Sequence, residues 1–456
     1  MKLKYFIGEN VRGYINFNVS FRDNLTFLIG INGSGKTTLL KLLSGLLTPS
    51  YSELNDIEFS EIRLICERLS DGKQFEISAY KKDKRMTLEY LDVNLDKHFI
   101  DKIPIVENCL ERQYYDRESG NFENINIILA QFKELNVVRQ IQSLKTPLFL
   151  GLSRRISENN RAFAERDVFF SRRKFHNLEI SDSVDEALRD IQEMVFENIR
   201  YNARKQSSYS DDFRKKVIQD SFKVYQEFPT LSTDYQKELK KLSLKKERLS
   251  TTLSELDIKD ISDQLDLLFE QLSSILRKLS NIAATNEGKI SNEYYETMLK
   301  WMINSTQLEK IDKITSYGNQ YVENILKLKE PIIRFTESVN LFFKEGHKEI
   351  LIDGQGQIKV KIIENNKTKI NSIFELSSGE KQLIIMLAHV AFYKTNKKGN
   401  IFIVDEPELS LHISWQEIFV DALLKASPDT QFILATHAPA ILARPERKEM
   451  CEDLSK

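Results

Sequence analysis

Both ends of the chain carry short alternating or compact apolar segments, and its middle is long, charged and helix-compatible. Lys2 to Ile7 and Tyr14 to Phe21 alternate apolar and polar residues with a period of two, which predicts strands. Leu25 to Gly30 is a compact apolar run closed by glycine, the pattern of a buried strand feeding a loop. From Lys36 the period lengthens: Leu39, Leu40, Leu42, Leu43 and Leu46 share a helical face, and Pro49 ends it. Farther on, Ile62 to Cys66 predicts a strand, Ile125 to Val138 one amphipathic helix, and Pro147 to Leu152 another strand.

From residue 153 to 345 the sequence is nearly free of proline. Leu239, Leu242, Leu249, Leu253 and Leu256 step by three and four, with Lys246 in the one polar seam position. Leu265, Leu268, Leu272, Ile275, Leu279 and Ile282 repeat the step. The charged break from Asp257 to Asp263 is the expected tip where two arms fold back on each other. A short coiled-coil hairpin and two ordinary amphipathic helices of a helical lobe both satisfy this spacing. After residue 346 strands return, at Ile358 to Ile363, Ile401 to Val404 and Gln431 to Ala435. The expected fold is α/β: a discontinuous head from residues 1–152 and 346–456, interrupted by a helical insertion at 153–345.

Composition narrows the picture. The 456 residues include only 16 glycines and 9 prolines, less than half the combined share of about 12% in average proteins. Lys and Arg number 66 against 67 Asp and Glu, a net charge of −1. That argues against a globally basic nucleic-acid coat. The three cysteines are far apart and form neither a disulfide framework nor a zinc pair. No apolar run approaches the roughly 18 residues of a membrane span, and Glu9 and Arg12 interrupt any signal-peptide core. A cytoplasmic protein with no membrane partner is expected.

Gly30-Ile31-Asn32-Gly33-Ser34-Gly35-Lys36-Thr37 fits the phosphate-loop pattern G-x-x-x-x-G-K-[ST] at every fixed position, between a strand and a helix. Such a loop turns backbone N–H groups inward onto phosphate oxygens at the positive end of the next helix. Gly30, Asn32, Gly33, Ser34, Gly35, Lys36, Thr37 and Thr38 are therefore the expected ATP contacts. Lys36 would reach the β- and γ-phosphates, and the Thr37 hydroxyl would bind Mg²⁺. Ile401 to Val404 is followed by Asp405 and Glu406, so a buried strand would deliver two acids to the ligand-bearing edge of the sheet. Asp405 would hold Mg²⁺, and Glu406 would orient and deprotonate the attacking water.

Leu376-Ser377-Ser378-Gly379-Glu380, ahead of an apolar helix, resembles the L-S-G-G-Q signature of ABC-type ATPases. A helix start headed by Ser and Gly suits a γ-phosphate, and a serine N-cap on a core helix is the plainer alternative. Pro407-Glu408-Leu409-Ser410-Leu411-His412 resembles the loop after the catalytic Glu in the SMC-like and OLD-like branch of that superfamily. His437, after the strand Phe432 to Ala435, resembles its switch histidine, and Arg12 has a phosphate-contacting counterpart there. No Q-loop glutamine is assigned; Gly151 to Arg155 stands where that loop would fall.

What the resemblance implies is an ABC-type P-loop ATPase head with an inserted helical lobe. In that family Ser377, Ser378, Gly379 and Glu380 would meet ATP held by a second subunit, so composite sites in a dimer or higher oligomer are implied. Lys36 and Gly379 lie over three hundred residues apart, far more than in transporter subunits. The C-x-x-C of a zinc hook is missing, and the residues after His437 are too few for a Toprim domain, so no nuclease activity of its own is expected. Heads of this build resemble the ATPase subunits of two-gene anti-phage defence systems such as Septu, paired with an HNH nuclease, and PARIS, paired with a Toprim-like one. A nuclease effector encoded alongside is the expected partner. The alternative is a RecF- or SMC-like DNA-binding ATPase of repair or chromosome maintenance. It rests on Arg154, Arg155, Arg161, Arg166, Arg172, Arg173 and Lys174, but Glu158, Glu165 and Asp167 are interleaved, and a solvated helix face is the commoner explanation of such a segment.

Overall fold

The computed structural model describes residues 1–106, 114–115, 122–123, 125–144, 148–150, 183–222, 234–258, 260–285, 291–364, 367–392 and 400–455. Strands β1 (Lys2–Val11) and β2 (Ile15–Ser20) form an antiparallel hairpin. It continues into β4 (Glu61–Glu67), β5 (Gln74–Lys82), β6 (Arg85–Asp92) and β7 (Lys97–Pro104), giving a six-stranded antiparallel sheet in the order β2-β1-β4-β5-β6-β7. Every second residue of β4 is buried, as in a sheet with one covered face.

The second sheet is parallel, in the order β10-β14-β15-β3-β16. It joins β3 (Leu25–Ile29), β10 (Leu148–Leu150), β14 (Asn400–Asp405), β15 (Thr430–Ala435) and β16 (Cys451–Asp453), so both ends of the chain share it. All six residues of β15 are buried, the condition under which strands read as continuous apolar runs. Helix α1 (Lys36–Leu47) contributes Leu39, Leu42, Leu43 and Leu46 to one core. That core also holds Ile62, Leu64 and Ile77 of the antiparallel sheet and Ile401, Ile403 and Ile433 of the parallel one, so α1 is buried between two sheets. Phe402 and Phe432 pair their rings at 5.8 Å.

Two short segments, β8 (Tyr114–Tyr115) and β9 (Phe122–Glu123), pair with each other. The single helix expected over 125–138 is instead two, α2 being Tyr51–Asp56 and the pair α3 (Ile125–Glu134) and α4 (Asn136–Gln142). Leu135 takes extended dihedrals between them, and the Asp101 carboxylate accepts the Val137 N–H at 2.8 Å. The apolar period runs through the break because Ile128, Phe132, Val137 and Val138 all face the same core.

The chain divides into two compact units, Glu197–Pro331 and the remainder. The limits fall inside two helices, α5 (Ser183–Ser221) and α8 (Asn292–Phe343). The start of α5 is anchored in the head: Asp185 pairs with Lys381 at 2.8 Å, and Gln192 bonds the backbone of Gly356 and Ile358. Helix α9 (Ser378–Phe392) and helix α10 (Ile413–Ala426) hold the end of α8, through Phe335 on Phe392 and Phe342 on Trp415. Pro331, which cannot donate an intrahelical hydrogen bond, stands at the limit within α8.

In the helical unit, α6 (Tyr235–Glu255) and α7 (Ser262–Thr285) form the hairpin with its tip in the charged break. Leu242, Leu249 and Leu253 pack with Leu265, Leu272 and Leu279, and Trp301 and Ile311 of α8 join the same core. Three helices thus share a core, which is a lobe rather than a two-stranded coil. Lys246, the polar seam residue, pairs with Asp266 across the hairpin at 2.8 Å. A small antiparallel sheet of β11 (Lys348–Ile352), β12 (Ile358–Glu364) and β13 (Lys367–Ser372) follows in the head. Among the described residues, no helix is long and apolar enough to cross a membrane. The α/β head with an inserted helical lobe is the fold of this chain.

Candidate active site

Strand β3 ends at Ile29 and α1 begins at Lys36, leaving Gly30 to Gly35 as the loop. Gly35 has φ +90°, and a Cβ there would sit 2.8 Å from the Phe17 ring; a Cβ on Gly30 would sit 2.5 Å from Ser34 Oγ. Conformation and space both demand glycine. Gly35 caps α1 without any side-chain hydrogen bond, and the first turn contains no acid. The orphan N–H groups of the helix start are therefore left for an anion.

Lys36 is only 5% exposed. Its Nζ donates to the carbonyls of Gly30 at 2.9 Å and Ile31 at 3.3 Å, so the side chain lies across the loop. Burial lowers its pKa, against the opposing pull of Glu406, Asp405 and Glu408. Asn32 is exposed and Ser34 half-buried, with Ser34 Oγ buried and unpartnered. Arg12 donates through Nε to Thr38 Oγ1 at 3.1 Å, which places it beside the loop. The Ile31 N–H donates to Ser455 Oγ at 3.0 Å, so the segment after β16 supports the loop from behind.

Across the sheet, Thr37 Oγ1 donates to Asp405 Oδ2 at 3.0 Å. The other oxygen, Asp405 Oδ1, is buried with no partner. Burial raises the Asp405 pKa, the Thr37 hydrogen bond opposes this, and neighbouring Glu406 adds to it. A hydroxyl and a carboxylate with an unused buried oxygen are hard donors suited to Mg²⁺. Among the described residues no group of three or more His, Cys, Asp or Glu could hold a metal ion alone. Glu406 has φ +48° and donates its N–H to Ala435 O at 2.8 Å. Such left-handed backbone costs a non-glycine residue about 1 kcal/mol or more and clusters at functional sites.

Residues 436–438 leave β15 beside these acids. Glu408 Oε1 accepts from the Thr436 hydroxyl at 2.9 Å and from the His437 N–H at 2.7 Å, while the His437 side chain is exposed. Sequence reading gave Glu408 no role; its one signal was a second acid two places after Glu406. His412 caps α10, its Nδ1 on Ser414 Oγ at 2.9 Å.

The signature residues sit at the start of α9. Ser377 N–H and Oγ donate to Glu380 Oε2 at 2.9 and 2.8 Å, and the Glu380 N–H returns to Ser377 Oγ at 3.4 Å. This is a reciprocal capping box. Glu380 also pairs with Lys348 at 2.7 Å. Burial pushes its pKa up, but Lys348 and Ser377 outweigh that and hold it below the ordinary value. Its carboxylate is thus committed to the helix start, whereas Ser377 and Ser378 are exposed and Gly379 half-exposed. Among the described residues no hydrogen bond joins this group to the phosphate loop. The Q-loop candidate Gly151–Arg155 and the basic segment 154–174 lie outside the described residues.

A family model for the AAA ATPase domain matches residues 1–442. The retron Ec83 probable ATPase of Escherichia coli is 23% identical over 447 residues, spanning 95% of this chain and 68% of that protein. The retron Vc95 probable ATPase of Vibrio cholerae is 23% identical over 432 residues, spanning 93% and 67%. Among solved structures, the Smc head domain from Pyrococcus furiosus aligns with a TM-score of 0.37 and 12% identity, over 97% of this chain and 91% of that one.

Proposed function

The chain belongs to the AAA ATPase domain family, and on that premise we propose that it is the ATP-hydrolysing subunit of a bacterial anti-phage defence complex. In this reading it works as an oligomer that holds and controls a separate nuclease effector. One observation carries the ATPase part: the phosphate loop, Asp405, Glu406 and the Thr436–His437 step converge at one edge of the parallel sheet.

N–H groups of the loop and of the start of α1, with Asn32, Ser34 and Thr38 around them, cradle the phosphates, and Lys36 swings from its carbonyl partners onto them. Thr37 and Asp405 would hold Mg²⁺, which would supply charge neutralisation at the phosphates. Glu406 takes a proton from the attacking water, and His437 faces the γ-phosphate. Ser377, Ser378 and Gly379 meet the nucleotide of a second subunit, and Glu380 fixes that helix start through its cap. The defence part draws on the two retron ATPases that match nearly the whole chain.

The test is an affinity purification of tagged Glu406→Gln protein from its host with ATP and Mg²⁺. A stoichiometric nuclease among the co-purified proteins is the expected result. DNA or repair factors without a dedicated partner would instead support the RecF- or SMC-like reading, which the cations between Arg154 and Lys174 favour. A DNA affinity that falls steeply with salt would do the same.

A further inference from the structure

Two acids stand in the turn after β14, and the ATPase reading uses only the first. Pro407–Ser410 is a single 3-10 turn with proline at its start, which fixes the backbone that presents Glu408. One Glu408 oxygen accepts from the Thr436 hydroxyl and the His437 N–H; the Thr436 oxygen in turn accepts the Ala438 N–H at 3.0 Å. Three consecutive residues at the exit of β15 are thereby held by one carboxylate, and hydrogen bonds to an ionised acceptor are roughly twice as strong as neutral ones.

The same turn is tied to β15 from the other direction, by the Glu406 N–H on Ala435 O. Two cross-links, one on either side of the strand end, therefore set where Glu406 and His437 stand relative to each other. The exposed His437 side chain projects from the backbone that Glu408 holds. We propose that Glu408 is a positioning residue for ATP hydrolysis, acting through its two accepted hydrogen bonds to orient His437 against Glu406. This rests on the ATPase reading above.

The test exploits an asymmetry in the carboxylate. Glu408 Oε2 is buried and unpartnered, so a glutamine can place its amide nitrogen there and keep its oxygen on both donors. Glu408→Ala is expected to lower kcat about tenfold or more, with affinity for a fluorescent ATP analogue changed by less than about threefold. Glu408→Gln should recover most of the turnover. Glu408→Ala added to His437→Ala should cost little more than His437→Ala alone, since both remove one function.

Hydrogen exchange gives a readout that needs no hydrolysis: the His437 amide should exchange faster in Glu408→Ala and stay protected in Glu408→Gln. Normal turnover in Glu408→Ala, equal loss in the Ala and Gln variants, multiplying losses with His437→Ala, or unchanged exchange at His437 would each overturn the proposal. A wild-type protein that hydrolyses no ATP would sink the ATPase reading instead, while the exchange result still judges the clamp.

Discussion

At the scale of single residues the site is built from groups held slightly against their own preference. Lys36 is buried on carbonyls, Asp405 keeps an oxygen without a partner, and Glu406 takes a left-handed backbone. Phosphates and a cation are the ligands that would relieve the first two. Removing the Lys36 ammonium should therefore abolish binding: Lys36→Ala is expected to show no saturable ATP binding by calorimetry. Glu406→Gln keeps the shape and loses the base. It should bind ATP like wild type and hydrolyse it slower by a factor of about 100 or more, and normal phosphate release would remove Glu406 from that role. Lys36, Thr37, Asp405 and Glu406 stand out in the sequence because they lie in contiguous motifs, and the structure sets Thr37 on Asp405. Glu408 was not, because its partners Thr436 and His437 stand 28 and 29 positions away.

At the scale of elements, α9 shows how one segment serves structure and site together. Its start is a capping box made by Ser377 and Glu380 together, with Ser377 and Ser378 both at the exposed surface. Farther along the same helix His389 is only 7% exposed, and burial lowers its pKa to about 4. The folded state thus keeps His389 neutral, while the unfolded chain protonates it near 6.5. Its contribution is intact above pH 6.5, is lost as pH falls towards 4, and changes no further below that. The loss amounts to about 3 kcal/mol. Denaturant titrations between pH 7 and 4 should show His389→Leu losing less stability than wild type across that window, and parallel slopes would refute it. Strands β5 to β7 escaped the sequence reading. Phe75, Ile77 and Ala79 of β5 and Met86, Leu88 and Tyr90 of β6 share the buried face, while Glu76 and Glu89 alternate with them on the opposite face, and hydrogen bonding to neighbouring strands completes the sheet.

For the whole molecule the decisive fact is that the signature residues head their own helix with no hydrogen bond to the phosphate loop among the described residues. A helix start that exposes Ser377 and Ser378 suits a nucleotide held by a second copy. Light scattering should therefore find Glu406→Gln protein as a dimer or larger with ATP and Mg²⁺, and smaller without nucleotide. Ser378→Arg should leave ATP binding intact in the single chain but block that association. Association that survives in Ser378→Arg would exclude this surface as the composite half-site. The helical unit is closed by its own core of α6, α7 and α8, with Lys246 paired to Asp266 rather than buried in a seam. Heptad spacing could not tell a coil from a lobe, since a third helix at Trp301 and Ile311 supplies the same burial.

Contiguous patterns were readable from residue order: the glycine-rich loop between a strand and a helix, the acids at the end of an apolar strand and the Ser-Gly helix start. Each depends on neighbours within one turn or one strand, where spacing and backbone preference carry the physics. The core between two sheets, the break at Leu135 capped by Asp101, the Ser455 support of the loop and the Glu408 clamp all needed three dimensions. They join residues from 28 positions apart, as with Glu408 and Thr436, to more than four hundred, as with Ile31 and Ser455. No local propensity encodes such pairs, because their geometry exists only after β3, β14, β15 and β16 have closed into one sheet.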